Sequence, residues 1–225
     1  MGQTTRQIMK LSLEKSTIGD FHRDLMQYYS LAKEKQKVHT GSWGYHEGSI
    51  NPIEDDKKDL NVQDRTIMRD RDWGSKTEWR DTMMKAGYNK QNTRLGMVEM
   101  DELPKNLLDE LSIRFKMKLP LFTMNIQPPG SVVPAHEDTW YKWCDKYPDE
   151  MENYTFEDTM FLIVFLTEQE TGHFFQMGNQ SVHWKPGDIF SMPYYTNHAT
   201  GNAGFNNKIL VQCLGISDAR YKSNQ

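Results

Sequence analysis

Long apolar runs are the first thing this chain lacks. None of its 225 residues sits in a stretch near the roughly 18 apolar residues a membrane helix needs, and mean hydropathy is −0.78. A membrane partner is therefore not expected. Cysteine is scarce too: Cys144 and Cys213 stand far apart and form no paired framework. The opening "MGQTTRQIMK" has no apolar core of the signal-peptide kind. A reduced, cytoplasmic setting is the expectation. A basic surplus is also missing. The net charge of −4 argues against nucleic acid as a main partner.

The charge is unevenly placed. Residues 1–120 carry 21 Lys and Arg against 19 Asp and Glu, whereas residues 121–225 carry 6 against 12. Six of those twelve acids fall between Asp145 and Asp158, and such a run reads first as a solvent-facing loop.

What is present divides by texture. "IGDFHRDLMQYYSLAKEK" sets Phe21, Leu25, Tyr28, Tyr29 and Ala32 at helical spacing, with Asp20 near its start. Residues 39–74 lack clean periodicity and read as a long, partly ordered connection. "SKTEWRDTMMKAGYN" carries Ser75 and Glu78 in a capping-box pattern, with Met83 and Met84 as packing residues and Gly87 as the stop. "DELPKNLLDELSIRF" places Leu107, Leu108, Leu111 and Phe115 on one stripe. From about Leu119 the chain breaks into short β-branched and aromatic segments: "LFTMNIQ", "SVVPAHED", "MFLIVFLT", "HFFQM", "SVHWK", "DIFSMPY", "NHAT" and "KILVQCLGI". Eight short strands in under a hundred residues predict a sandwich or barrel, not a parallel sheet. The expected class is α+β: one domain over 1–225, with a helical support region 1–118, a β core 119–217 and a tail 218–225.

Within that frame, "VPAHEDTW" puts His136 and Asp138 two residues apart after a Pro-Pro-Gly turn. On a strand, residues i and i+2 share a face, so an imidazole and a carboxylate converge. His198 in "YYTNHATGN" opens a later strand and is the natural third donor. Two histidines and one carboxylate make the facial triad of non-heme Fe(II) oxygenases, with three positions left open. Lys208 follows His198 by ten residues. A buried lysine is costly unless an anion pairs with it, and a dicarboxylate would supply one. His173 and His183 also fall on strands and read as ordinary polar or core histidines. Asp188 reads as a turn residue of "KPGD".

These residues, over Leu121 to Ile216, resemble the iron(II)- and 2-oxoglutarate-dependent oxygenase superfamily. The pattern is an HxD pair, a distal histidine and a basic residue about ten positions on, here His136, Asp138, His198 and Lys208. "QPPGSVVPAHED" is similar to the metal-bearing strand of prolyl and aspartyl/asparaginyl hydroxylases, and "GHFFQMGN" and "KPGDIF" to later strands. The resemblance implies a double-stranded β-helix, jelly-roll or cupin-like, with N-terminal helices packed against it. It implies Fe(II) held by His136, Asp138 and His198, with 2-oxoglutarate as cosubstrate anchored by Lys208, and O₂. The reaction would be hydroxylation of a carbon in an amino acid, a peptide or protein side chain, or another small molecule, with release of succinate and CO₂. Relatives place a tyrosine on the first strand against the cosubstrate; this chain offers Thr123, Asn125 or Gln127 there. Relatives also carry a segment over the site mouth after the metal pair, where Trp140, Tyr141 and Trp143 would form an apolar wall. Two other readings stand beside this one: a cupin-like metal enzyme that does not use 2-oxoglutarate, and a non-enzymatic β-helix binding module.

Overall fold

The computed structural model describes residues 14–35, 39–42, 85–89, 91–98, 105–136, 141–150, 153–154, 158–192 and 196–217. These form β1 (Glu14–Thr17), α1 (Phe21–Glu34), β2 (His39–Ser42), β3 (Arg94–Val98), α2 (Lys105–Phe115), β4 (Met117–Gln127) and β5 (Ser131–His136). They continue with α3 (Tyr141–Lys146), β6 (Thr159–Phe165), β7 (His173–Met177), β8 (Gln180–Ser181), β9 (Asp188–Met192), β10 (His198–Asn202) and β11 (Lys208–Ser217).

The strands make two antiparallel sheets. The larger runs β1-β9-β6-β11-β4-β3-β2, and the smaller runs β5-β10-β7-β8. At the centre of the larger sheet, "TMFLIVF" in β6 is apolar on both faces and divides its side chains between two cores. Leu162 and Val164 join Leu25, Tyr29, Leu111, Phe122, Met124 and Val211 on the outer face, under α1 and α2. Phe161, Ile163 and Phe165 join Phe175, Met177, Trp184, Phe190 and Leu210 in the interior between the sheets. Each such side chain, fully buried, contributes roughly 1.5–3 kcal/mol, so both layers are needed. Two antiparallel sheets closed over a shared interior are a double-stranded β-helix, or jelly roll.

The expected helices at Phe21–Glu34 and Lys105–Phe115 are present, and seven of the eight expected strand segments contain a strand; of "SVHWK" only Ser181 lies in one, the two-residue β8. Most of the helix expected over 75–89, with Met83 and Met84, lies outside the described residues, as does most of 39–74. The reading of 1–118 as a helical support region is corrected in part, since its described residues include strands as well as helices. β1, β2 and β3 come from it and extend the larger sheet at both edges, β1 against β9 and β3 against β4. "EKST" and "HTGS" carry no apolar alternation of their own; they are strands because a neighbouring edge offers them a ladder.

In the acidic run itself Asp149 is exposed and Glu150 and Asp158 are partly so. Just ahead of it, α3 buries Trp143 completely and Cys144 nearly so. The Trp143 indole donates to Leu119 O (2.8 Å) and the Tyr147 hydroxyl to Pro120 O (2.7 Å). Leu119 sits at φ 49°, a left-handed conformation that costs a β-carbon residue about 1–2 kcal/mol. The Trp143 bond fixes the carbonyl that this conformation presents. Trp143 is therefore a core residue and not an exposed wall; Trp140 lies outside the described residues.

Candidate active site between the two sheets

β5 and β10 are neighbours in the smaller sheet, and their register pairs His136 directly with His198. A directly paired position shares a face, so both imidazoles enter the interior, with ring centroids 4.3 Å apart. Both are buried. Each ring is held the same way: His136 Nδ1 donates to Pro134 O (2.7 Å) and His198 Nδ1 to Thr196 O (2.9 Å). A carbonyl only accepts, so in the neutral ring the proton sits on Nδ1 and the lone pair on Nε2. Phe175 stacks against the His198 ring at 5.9 Å and Phe161 approaches it at 5.9 Å. The two rings keep the histidine in an apolar wall.

This donor set fits a divalent transition metal. Two neutral imidazoles with Nδ1 tied to backbone oxygens are the usual state of metal-ligating histidines. Among the described residues no third His, Cys, Asp or Glu completes a cluster. Asp138, the expected carboxylate, lies outside them.

Lys208 faces the same interior from the start of β11, and no part of it is exposed. Its Nζ donates to Phe174 O (2.8 Å), Gly201 O (3.0 Å) and Thr200 Oγ1. No carboxylate pairs with it among the described residues. Burial alone pushes its pKa down from 10.5 to about 7. The ammonium thus joins the larger sheet to both central strands of the smaller one.

The three first-strand candidates separate once the register is known. Lys208 pairs with Gln127, Leu210 with Asn125 and Gln212 with Thr123, so all three candidates face inward with Lys208. Gln127 is fully engaged: Nε2 donates to Ser131 O and Thr200 O, and Oε1 accepts from the Thr200 hydroxyl. Asn125 Nδ2 donates to Gln212 Oε1 at 2.6 Å. Thr200 and Gln212 were missed in the sequence. The signal for both was period two: Thr200 is two residues from His198, and Gln212 is four from Lys208.

The remaining candidates behave as ordinary residues. His173 is buried and hydrogen-bonded through both nitrogens to loop backbone, accepting from Glu170 N–H and meeting Asn206 O. His183 is exposed. Asp188 closes its turn by accepting from Lys185 N–H (2.8 Å). Both cysteines are free and buried, and burial raises the Cys213 thiol well above its ordinary value. No described helix is long and apolar enough to cross a membrane.

Fold and register together define a cupin-like double-stranded β-helix with two histidines facing each other in its interior. No family model and no curated protein matches the sequence. Among solved structures, the chain is similar to a Pseudomonas putida prolyl-4-hydroxylase. The TM-score is 0.52 at 9% identity, over 92% of this chain and 94% of that one. It is also similar to an oxidoreductase of the 2OG-Fe(II) oxygenase family from Burkholderia pseudomallei (TM-score 0.39, 12% identity, 54% and 66% covered). A predicted oxalate decarboxylase from Thermotoga maritima matches with TM-score 0.34 and 18% identity, over 55% and 81%. At 9% identity the likeness to the prolyl-4-hydroxylase shows a shared fold alone.

Proposed function

We propose that the protein is an Fe(II)- and 2-oxoglutarate-dependent dioxygenase that hydroxylates a carbon of a small-molecule or peptide substrate. The observation that carries this is the direct pairing of His136 with His198, both rings locked with Nε2 as the lone-pair nitrogen. His136 and His198 would hold the metal through Nε2, and Asp138 would add the carboxylate. Bound iron supplies the activation of O₂ that couples decarboxylation of 2-oxoglutarate to oxygen insertion into a C–H bond. The chain's own work is positioning and exclusion of water. Phe161 and Phe175 shield the His198 side. Lys208 offers its charge to the far carboxylate of 2-oxoglutarate, exchanging one of its neutral oxygen partners for a charged one. Of the first-strand candidates, Thr123 and Asn125 have hydrogen-bonding capacity to spare, and Gln127 does not.

A second reading rests on one observation. Every proton of the Lys208 ammonium already has an acceptor within the protein. A lysine that only ties the two sheets together would look the same, and the protein would then be a metal enzyme that does not use 2-oxoglutarate. Anaerobic titration separates the two. Fe(II) binding followed by a weak visible charge-transfer band on adding 2-oxoglutarate, with succinate released once O₂ and substrate are supplied, supports the dioxygenase. Metal binding without the band favours the second reading. No metal binding refutes both.

A further inference from the structure

Beside the apolar cluster of Phe161, Ile163, Phe165 and Leu210, the interior carries polar side chains on β4 and β11, among them Asn125 and Gln212. Gln212 lies on β11, which has β4 on one side and β6 on the other. An inward residue on such a central strand is normally sealed, yet Gln212 and its partner Thr123 are only partly buried. Solvent therefore reaches the space between the sheets at this level.

That level matches the histidines. The chain passes from the end of β10 at Asn202 to Lys208 through a short loop, and Lys208 Nζ still reaches Gly201 O. Gln212 is four residues along β11 from there, and His198 is four residues back along β10 from Asn202. At about 3.3 Å per residue, both stand roughly 13 Å from that end. Gln212 thus faces the level of His136 and His198 from the opposite sheet, and Asn125, paired with Leu210, stands one inward position nearer Lys208.

The two amides are joined by one hydrogen bond, Asn125 Nδ2 to Gln212 Oε1. Each has half its capacity left: Asn125 Oδ1 accepts and Gln212 Nε2 donates. Amide oxygen and nitrogen can exchange places by a flip. If both flip, the pair still presents one acceptor and one donor side by side. That edge complements a carboxamide or a peptide group, which carries a donor and an acceptor. It mismatches a carboxylate, which only accepts.

We propose that Asn125 and Gln212 form an amide-reading pair, and that the substrate presents a carboxamide or peptide bond to it beside the metal centre. This deepens the dioxygenase reading and rests on it for the reaction, though not for the binding.

The test uses the full chain with Zn(II) in place of iron and saturating 2-oxoglutarate, so that nothing turns over. Ligand-observed NMR titrates phenylacetamide, phenylacetate and phenethylamine. Wild type is expected to prefer the amide over the acid by about tenfold or more, as one unmade hydrogen bond to a buried partner implies. Gln212→Glu leaves two acceptors and should shift the preference toward the ammonium probe. Gln212→Leu should abolish the preference while the far-ultraviolet spectrum stays native. Equal binding of amide and acid by wild type, or an unchanged ranking in both variants, overturns the proposal. So does a Gln212→Leu variant that loses 2-oxoglutarate affinity about tenfold and keeps its probe ranking, since the pair would then serve the cosubstrate. If 2-oxoglutarate fails to bind with any metal, the dioxygenase reading falls, and the probe ranking on the metal-free chain still decides the amide pair.

Discussion

Substituting Lys208 with methionine removes a charge from the interior and keeps the chain length. The lysine's pKa falls from 10.5 to about 7 on burial. At about 1.36 kcal/mol per unit, the protonated side chain costs the fold about 5 kcal/mol. Between pH 7 and 10.5 the unfolded chain holds this proton and the folded chain releases it, so stability rises with pH across that window. Integrated from pH 7 to 9, the gain is about 2 kcal/mol. Binding of 2-oxoglutarate runs the other way. Its far carboxylate favours the ammonium, so binding takes up a proton, and affinity should fall about fiftyfold between pH 7 and 9. Lys208→Met should lose both slopes and bind 2-oxoglutarate tens-fold more weakly at pH 7, because the carboxylate then has no cation. Urea denaturation at pH 7, 8 and 9 reads the first slope, and anaerobic titration of 2-oxoglutarate into Fe(II)-loaded protein reads the second. Cosubstrate curves that superimpose for wild type and Lys208→Met would refute the anchor. A matching stability slope in the two proteins would refute the depressed pKa.

His136→Ala and His198→Ala should each weaken Fe(II) binding by orders of magnitude while the protein still melts cooperatively; wild-type metal affinity in either variant removes that residue from the ligand set. Trp143→Ala should cost about 3–5 kcal/mol, the range for emptying a fully buried aromatic site, whereas Trp143→Phe should cost closer to the single bond to Leu119 O, about 1 kcal/mol; urea midpoints distinguish them. At Gly172, φ is +94° and an added Cβ would stand 2.6 Å from the Ala203 carbonyl carbon. Gly172→Ala should therefore destabilise by more than 2 kcal/mol, by the usual cost of a forbidden backbone and a clash. At Gly201 the three atoms nearest an added Cβ all belong to the ring of Phe174, a side chain 44% exposed that can yield by rotating. Gly201→Ala should cost under about 1 kcal/mol by thermal melt.

The strands from Leu121 onward were legible because each combines β-branched or aromatic residues with a Gly, Pro or Asn stop, and "HFFQM" even shows its in-out alternation. β1 and β2 were not, because four-residue polar segments acquire strand character only from the edge they join. Trp143 was hidden by the acids around it: sequence shows a charged run, and only the neighbouring Leu119 carbonyl shows where the indole goes. The histidines and Lys208 were legible through spacing, since strand periodicity and the cost of a buried cation are local facts. The choice among Thr123, Asn125 and Gln127 was not, because spare hydrogen-bonding capacity depends on partners as distant as Thr200 and Gln212. Asp138 was legible as a pattern and lies outside the described residues.

Strands β4 and β11 lie side by side in one sheet, yet their two faces hold different kinds of residue. Outward, Phe122, Met124, Ile126, Val211 and Cys213 meet the helices in a wholly apolar layer. Inward, beside Leu210 and Leu214, the same strands carry Thr123, Asn125, Gln127, Lys208 and Gln212. Alternation along a strand lets one segment of chain hold the molecule together with every second position and present the positions between to the interior. The outer layer can therefore absorb stabilising substitutions without altering the inner surface, and the inner surface can change its chemistry with the outer layer as a reserve. A protein built this way can acquire a new ligand by exchanging a few inward residues on two strands, leaving its scaffold, and the two histidines across from them, where they are.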